Sequence, residues 1–361
     1  MDDYTVPYSV LRYKYKDDYR QILEHRAEEY EKAEHLLAQN GMPLRFRYDG
    51  SIREKLGEIY ELLDETPITD SAETVMYEGL SSSVIEGART TVADTIKLAK
   101  GKKRPCDKSE QMVWNNMTVI DKYYRTPFPF TEDALIGAWR VMVDKVCENE
   151  DVRGEKYRGG TVVIADGMGN VIYTPPDYKR VREYMDRLFA FIAADNYEPL
   201  IKAILIHYYF AYVHPFCDGN GRMARFISQQ WLIQNERTQA FQYISLSVAV
   251  NDNRSAYYRA LQNSENELND VTYFVLFYLD VMKLQLNRSI ELFGANDEFN
   301  ERQRSILVKI NQGGITRKKY AGLYGVSPTT AGKDLNALVR CGDLKRAKEA
   351  NGEYRYYKVV L

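Results

Sequence analysis

Twelve consecutive residues, His214-Pro215-Phe216-Cys217-Asp218-Gly219-Asn220-Gly221-Arg222-Met223-Ala224-Arg225, bring together a base, a carboxylate, two loop glycines and two arginines. Pro215 disfavours helical geometry at the residue before it, so the apolar helix upstream must end there and present the His214 imidazole at its terminus. Gly219 and Gly221 allow a tight loop whose amides can approach a phosphate. A helix opening near Arg222 aims its unpaired N–H groups and positive dipole end at an anion. Arg222 and Arg225, three apart, occupy neighbouring positions of that helix, where both can reach phosphate oxygens. Asp218 is placed for a divalent cation, since magnesium in nucleotide sites is commonly held by one carboxylate plus substrate phosphates. A base, a metal ligand, an anion cradle and two cationic clamps are the parts that phosphoryl-group chemistry requires. Singly, such a His is more often a core residue and such arginines a surface ion pair; their coincidence around one Gly-Asn-Gly loop argues for function. Cys217 has no spacing to His214 that demands a Cys/His nucleophile and reads as a core position.

A second constellation lies upstream, at Ser82-Ser83-Val84-Ile85-Glu86-Gly87. Ser82 and Glu86, four apart, share a helix face, and Gly87 can end that helix, so a carboxylate is presented at a helix tip. Taken alone, this is an ordinary helix end.

The elements that must position these groups are mostly helical. Tyr19 to Ala38, rich in Glu, Lys, Leu and Ala, predicts a helix, as do Ser51 to Leu63 and Ser71 to Gly87, with Pro67 interrupting between them. Thr131 is an N-cap candidate for a helix whose Leu135, Trp139, Met142, Val143 and Val146 face a core. Thr161 to Thr174 carries two β-prone stretches around a Gly-containing turn and predicts a hairpin. Helical patterns return at Tyr178 to Ala194, Leu200 to Val213, Arg222 to Asn235, Asn253 to Asn263 and Val271 to Phe293. From Glu301 onward the order is a helix to Ile310, a helix at Lys318 to Tyr324, a turn, a helix from Ser327 to Arg340 and a hairpin from Leu344 to Val360 with Asn351-Gly352 at its tip, the layout of a winged helix-turn-helix. The segments read as an N-terminal helical region (1–70), a region around the Glu86 helix (71–130), a catalytic core (131–293) and a winged helix (301–361).

With 361 residues and 45% hydrophobic content, the chain can bury a large core and hold two or three units. The start of the chain lacks the apolar run of a signal peptide, and the apolar stretch Ala203 to Val213 is far short of the ~20 residues needed to span a bilayer. It reads as a buried helix, with no membrane role. Cys106, Cys147, Cys217 and Cys341 are scattered along the chain without the close spacing of a zinc site or disulfide framework, which suits a reducing, cytoplasmic setting. The formal net charge is −2, but Glu301 to Leu361 holds thirteen Lys and Arg against five Asp and Glu, a local +8 that leaves −10 for the rest. That excess suits a DNA or protein partner of the carboxyl-terminal unit. Assembly into a homo-oligomer is left open.

The twelve-residue motif resembles the Fic family signature, His-Pro-Phe-x-Asp-Gly-Asn-Gly-Arg-x-x-Arg, at every specified position. The resemblance implies a mainly α, Fic-type helical bundle with a small β-hairpin flap, extending over about Thr131 to Phe293. It implies protein AMP transfer from ATP to a hydroxyl of a target protein, an adenylyltransferase activity. His214 would be the general base and Asp218 the magnesium ligand. Gly219, Asn220 and Gly221 would bind around the α-phosphate, Arg222 at the α/β-phosphates and Arg225 at the γ-phosphate. Gly221 argues against relatives that carry Lys there and act as kinases. The hairpin Thr161 to Thr174 looks like the flap that receives the target by strand addition. Tyr257-Tyr258 resembles the aromatic pair of the adenine pocket, with Tyr258 the closer contact, and Glu265 and Asn266 compete for the place of a following Asn. Ser82, Glu86 and Gly87 resemble the family's inhibitory motif in the class whose inhibitory helix precedes the core. The resemblance implies that Glu86 pairs with Arg225 and occupies the space of the ATP γ-phosphate; an arginine and a carboxylate can meet through two charge-assisted bonds, enough to hold activity down by roughly a hundred- to ten-thousand-fold, less where solvent screens the pair. Two alternatives stand beside it: a hydrolase that removes AMP from modified proteins, and a DNA-binding regulator whose Fic core is a sensor.

Overall fold

The apolar stretch becomes the helix Pro199–Val213, in which every side chain from Leu200 to Phe210 is buried. Glu198 caps it by accepting from the Ile201 amide, and Pro199, which lacks an amide donor, occupies the first turn. Such an all-round apolar helix must sit at the centre of a layered bundle. The motif helix Asn220–Asn235 packs along it, with the Ser228 hydroxyl donating to the Ala203 carbonyl at 2.9 Å. The computed structural model describes residues 4, 6–28, 30–66, 71–165, 169, 171–194, 197–236, 239–293, 299–310, 314–340, 343–349 and 353–359.

Around these two helices lie Gly50–Glu65, Ser71–Ile85, Lys108–Arg125, Glu132–Met142, Val181–Ala193, Leu246–Asp252, Arg254–Ser264 and Thr272–Phe293. Thr131 does cap its helix, accepting from the Ala134 amide, and Leu135, Trp139, Met142, Val143 and Val146 are all buried. The helices Tyr8–Tyr15, Val92–Ala99 and Lys108–Arg125 were not anticipated, although the last carries a plain signal, an Asp107 side chain that accepts from the Glu110 amide.

The expected helix from Tyr19 to Ala38 is half wrong. It runs as helix only over Tyr19–Glu28; Tyr30–Leu37 is a strand paired antiparallel with Pro43–Arg47. Ala33 and Leu36 are its buried positions, three apart, because the register shifts between Ala33 and Leu37. A bulge therefore gave a strand a helix-like spacing of apolar residues, and burial against Leu44 and Phe46 overrode the local propensity. The pair is tied to the body at Arg45, whose amide donates to the Asn269 carbonyl and whose carbonyl accepts from the Val271 amide, at 2.9 and 2.8 Å. Arg26, fully buried, lies over the Tyr4 ring and donates to the Tyr273 hydroxyl.

The expected hairpin is present but shorter, Ile164–Ala165 against Val171–Tyr173. Val163, Val171 and Ile172 stay exposed on it, while the Tyr173 hydroxyl donates to the Tyr212 carbonyl and holds its base to the central helix.

Buried residues from Ala33 to Leu286 form one hydrophobic cluster, and Phe299 to Tyr356 form another. The second is built from the helices Glu301–Lys309, Arg317–Tyr324 and Pro328–Arg340 and a three-stranded antiparallel sheet. In that sheet Tyr354–Lys358 lies between Ile315–Thr316 and Leu344–Lys348. The short strand Ile315–Thr316 was not anticipated, and the tip Asn351-Gly352 lies outside the described residues. Asp334 knits this part together, accepting from Asn300, Arg302 and Tyr320. The ammonium of Lys309 lies 3.9 Å from the ring of Tyr77, which is on the helix Ser71–Ile85. No described helix is long and apolar enough to cross a membrane.

Candidate active site

His214 closes the central helix in the left-handed region, at φ 50 and ψ 59, with its amide donating to the Phe210 carbonyl. A non-glycine residue held there is strained by about 1–3 kcal/mol, so the surroundings must enforce it. They do so from three sides. The Arg158 side chain donates to the His214 carbonyl at 2.9 Å, the Arg158 amide donates to the Pro215 carbonyl, and the His214 Nδ1 stands 3.4 Å from the Ala211 carbonyl. Burial pushes the imidazole down to about 4, with Arg158 adding to the shift and Glu86 opposing it. The ring is neutral at pH 7, the state a proton acceptor requires.

The loop that follows is tied across its turn by Asn220. Asn220 accepts from the Phe216 amide at 2.9 Å and donates to the Phe216 carbonyl at 2.8 Å, closing the turn on both strands. Its amide group is thereby committed to holding the loop, so the anticipated contribution of Asn220 to phosphate binding rests on its backbone. Gly219 sits at φ 79, and a Cβ there would stand 2.8 Å from a Val143 methyl. The motif helix starts at Asn220, two residues before the expected Arg222. Phe216 is fully buried and stacks on Trp139 at 4.3 Å between ring centres, and the Trp139 indole donates to the Asp218 carbonyl. Asp218 accepts from the Gly219 and Glu148 amides at 2.5 and 3.0 Å and lies 3.5 Å from the Arg222 guanidinium. Its side chain keeps 23% exposure.

Both motif arginines are buried. Arg222 donates to the Met142 carbonyl at 2.7 Å, and its Nε has no hydrogen-bond partner among the described residues. Burial pulls its guanidinium below the usual range. Arg225 donates through Nε to the Ser82 hydroxyl at 2.9 Å, and through Nη2 to the Ser82 carbonyl at 2.9 Å and to Glu86 Oε1 at 2.7 Å. Its Nη1 has no partner. Burial works against the Arg225 charge, and the Glu86 carboxylate overcomes it and raises the guanidinium above its usual range. Buried arginine donors without partners mark a place that an anion would complete.

The sequence-predicted inhibitory residues thus meet the motif, but not through the expected pair of bonds. Glu86 supplies one bond to Arg225 and Ser82 supplies two, because Ser82 lies one turn back on the same helix face and reaches the guanidinium edge first. Burial opposes the Glu86 charge, yet Arg225, with help from Arg222 and His214, holds the carboxyl below its usual range. The Glu86 side chain is still 31% exposed, so solvent screens part of that pairing. Gly87, at φ 95, ends the helix in a Schellman turn: the Ala88 amide donates to the Ser83 carbonyl and the Gly87 amide to the Val84 carbonyl. The Glu86 carboxylate stands over the first turn of the motif helix, so near that a Cβ at Gly221 would run into it. Beside it opens a cavity of about 280 Å³ lined by His214, Gly221, Tyr258, Leu261 and Glu265 and by Ile164 of the hairpin. Tyr258 presents its ring there and donates from its hydroxyl to the Ile85 carbonyl at 3.2 Å, whereas Tyr257 is buried with its hydroxyl 3.0 Å from His207 Nε2. Glu265 reaches the cavity, and burial pushes its carboxyl up to about 8.

The profile of the Fic/DOC family matches residues 109–232, which include the whole motif. The chain carries a Fic domain. A probable protein adenylyltransferase from Aquifex aeolicus is 28% identical over 156 residues, which make up 41% of this chain and 45% of that protein. The match thus spans about half the length of that curated relative. Among solved structures, a Fic family protein from Desulfovibrio desulfuricans superposes with a TM-score of 0.61 at 21% identity, covering 87% of this chain and 98% of that one. A fragment of Fic-1 from C. elegans superposes with a TM-score of 0.51 at 18% identity, covering 66% of this chain and 72% of that one. At these identities the structural likeness shows the fold.

Several residues that hold the Fic loop were missed in the sequence. Arg158 is 3% exposed, binds the His214 and Gly160 carbonyls, and also donates to the Pro176 carbonyl. It sits in a loop with no periodic pattern, so nothing local marks it as buried. Asn149 donates to the Cys217 carbonyl, and the Cys147 and Cys217 thiols, distant in sequence, lie 3.3 Å apart. That proximity corrects the picture of scattered cysteines, although both are free thiols. Trp139 was assigned to the core, but its bond to Asp218 could not be read from helical spacing.

Proposed function

We propose that this protein is an adenylyltransferase that moves AMP from ATP to a hydroxyl of a target protein, restrained by its own helix Ser71–Ile85. The observation that carries the reading is Arg225, a buried guanidinium of the motif helix bonded to Ser82 and Glu86, whose Nη1 has no partner among the described residues. The relative named as an adenylyltransferase supports the reaction class. In the proposed reaction the target hydroxyl oxygen attacks the α-phosphorus of ATP, the bond from that phosphorus to its bridging oxygen breaks, and pyrophosphate leaves. His214, neutral and fixed by Arg158, takes the hydroxyl proton. The amides of the Gly219–Gly221 loop and the motif helix N-terminus hold the α-phosphate, Arg222 the bridging region and Arg225 the γ-phosphate. Tyr258 packs on the adenine. The exposed edge around Val171 and Ile172 takes up a strand of the target.

Magnesium fits the donor set present. Asp218 is a single partly exposed carboxylate beside two buried arginines, which suits an ion that binds through one carboxylate and substrate phosphates. When bound there, it neutralises phosphate charge. Glu86 restrains the reaction because its carboxylate occupies the approach to the motif helix that an anionic γ-phosphate would need. The test is labelling with ATP carrying a traceable adenosine, comparing wild type, Glu86→Gly and Glu86→Gly/His214→Ala. Faster label transfer by Glu86→Gly than by wild type supports the reading. Equal rates would sink the restraint, and release of AMP from pre-modified protein in place of transfer would replace the reaction with hydrolysis.

A further inference from the structure

We propose that the carboxyl-terminal unit is a winged-helix module that binds duplex DNA, with the helix Pro328–Arg340 entering the major groove and the strand Leu344–Lys348 lying along the phosphates. The helix carries Thr329, Lys333, Asn336 and Arg340 at intervals of four, three and four, which places them on one stripe. That stripe is open: together with Arg317, Pro328 and Gly332 it lines a groove of about 570 Å³ without one carboxylate. The opposite face, Ala331, Leu335 and Leu338, is buried in the second hydrophobic cluster, so the helix has a fixed outward side. Among the described residues, no ion pair engages Arg317, Lys333 or Arg340.

The groove is held in shape by its own bonds. Arg317 donates to the Tyr356 hydroxyl at 3.0 Å, Tyr356 donates to the Asn336 side chain at 3.2 Å, and Arg346 lies 3.4 Å from the same Asn336 oxygen. At Gly332 the Arg317 guanidinium lies close across the helix, where a Cβ would stand 3.3 Å from it and ask only a small shift of that side chain. Arg346 and Lys348, alternate residues of the strand Leu344–Lys348, are exposed on the same side of it, and Lys345 is exposed on the other.

The occupant follows from shape and charge. A B-form major groove, about 12 Å wide, admits an α-helix, whereas the deep, narrow major groove of A-form RNA does not. Arg317, Lys333 and Arg340 line the groove and Arg346 reaches its Asn336, four cations that suit a regular array of phosphates, and the −10 charge on the rest of the chain turns this surface toward a polyanion.

The experiment is fluorescence anisotropy with the full chain and a labelled 25-base-pair duplex of mixed sequence, titrated at several salt concentrations. Binding at low salt should weaken by about 60- to 1,000-fold between 50 and 200 mM, a log–log slope of about −3 to −5. Lys333→Ala/Arg340→Ala should lower the slope by about two and the low-salt affinity by at least about tenfold. Lys122→Ala/Arg125→Ala, remote on the helix Lys108–Arg125, should leave both unchanged, and circular dichroism checks that each variant is folded. No binding at low salt, equal losses in the two double variants, or duplex RNA bound as tightly as duplex DNA would each overturn the proposal.

Discussion

The cations proposed to meet phosphate occur in two settings in this chain. Arg222 and Arg225 are buried beneath the Fic loop, each bonded to a fixed backbone or side-chain partner and each with a nitrogen left without one. Lys333, Arg340 and Lys345 stand on the surface of the carboxyl-terminal unit, facing water. A buried guanidinium has already lost its hydration, so an anion that reaches it gains a strong, directional bond little affected by salt. A surface cation gains mainly by releasing counterions, so its contribution is general and falls steeply with salt. The first arrangement fits chemistry at one phosphorus; the second fits holding a long polyanion. The difference also explains why only the first needs a restraint. An unpaired buried guanidinium is costly, and Ser82 and Glu86 satisfy Arg225, which on the proposed reading a phosphate would take over.

The sharpest way to break this comparison is to remove the base from the buried site. His214→Ala, made in the Glu86→Gly background, should lower transfer by about 100- to 10,000-fold while ATP affinity, measured by calorimetry, stays within a few-fold. A variant that retains turnover would show that the buried cluster binds nucleotide without His214 acting on the hydroxyl. Glu86→Gly itself should raise transfer by roughly 10- to 100-fold, because one charge-assisted bond of about 1.5–3 kcal/mol is lost and solvent already screens part of it. This is smaller than two bonds would give, and it follows from Ser82 holding the rest of the guanidinium.

The pH profile separates the two settings further. His214 acts as a base only when neutral, and burial places its folded value near 4, below its usual 6.5. With His214 as the proposed base, transfer is expected above that value and lost as the pH falls through it. In Glu86→Gly the limb should move lower still, since Glu86 pulls the imidazole upward. kcat/KM measured from pH 4 to 8 should stay flat through 6.5; a fall centred near 6.5 would mean that the imidazole is solvated in the free enzyme. The same shift bears on folding. The unfolded chain takes up this proton below 6.5 while the folded chain resists until about 4, so His214 withdraws stability as the pH drops across that window.

Much of the Fic site was legible because its chemistry is contiguous. His214, Asp218, Gly219, Arg222 and Arg225 fall within twelve residues, and Pro215 and the glycines declare the turn in their own backbone preferences. What escaped was chemistry assembled from afar. Arg158 holds His214 from a loop more than fifty residues upstream, and Ser82 carries more of the bonding to Arg225 than the motif alone suggests. No spacing rule connects positions so distant. The strand Tyr30–Leu37 escaped for a different reason: its composition favours a helix, its bulge imitates helical spacing, and only its pairing with Pro43–Arg47 decides the outcome. In the carboxyl-terminal unit, by contrast, the helices were readable from their own patterns, while the groove rests on Tyr356 of a strand accepting from Arg317 and donating to Asn336 of two different helices.

The smallest expected effect tests whether the helix tip is held by more than its charge. Tyr258 donates to the Ile85 carbonyl, the residue just before Glu86, and its ring faces the cavity beside His214. Tyr258→Phe removes only the hydroxyl and keeps the ring available to stack on a base. A neutral hydrogen bond of this kind contributes about 0.5–1.5 kcal/mol, which corresponds to roughly a two- to tenfold easier displacement of the tip. Because Tyr258 is partly exposed, water can take over at the Ile85 carbonyl, and the lower end of that range is expected. Transfer by Tyr258→Phe should rise about two- to threefold over wild type with ATP affinity in the Glu86→Gly background unchanged. A drop in transfer would show that the hydroxyl serves the nucleotide, and no change in either would leave Ser82 and Glu86 as the restraint's only attachments. Combining Tyr258→Phe with Glu86→Gly decides between these outcomes: if the hydroxyl acts only by holding the tip, the double variant should be no faster than Glu86→Gly alone.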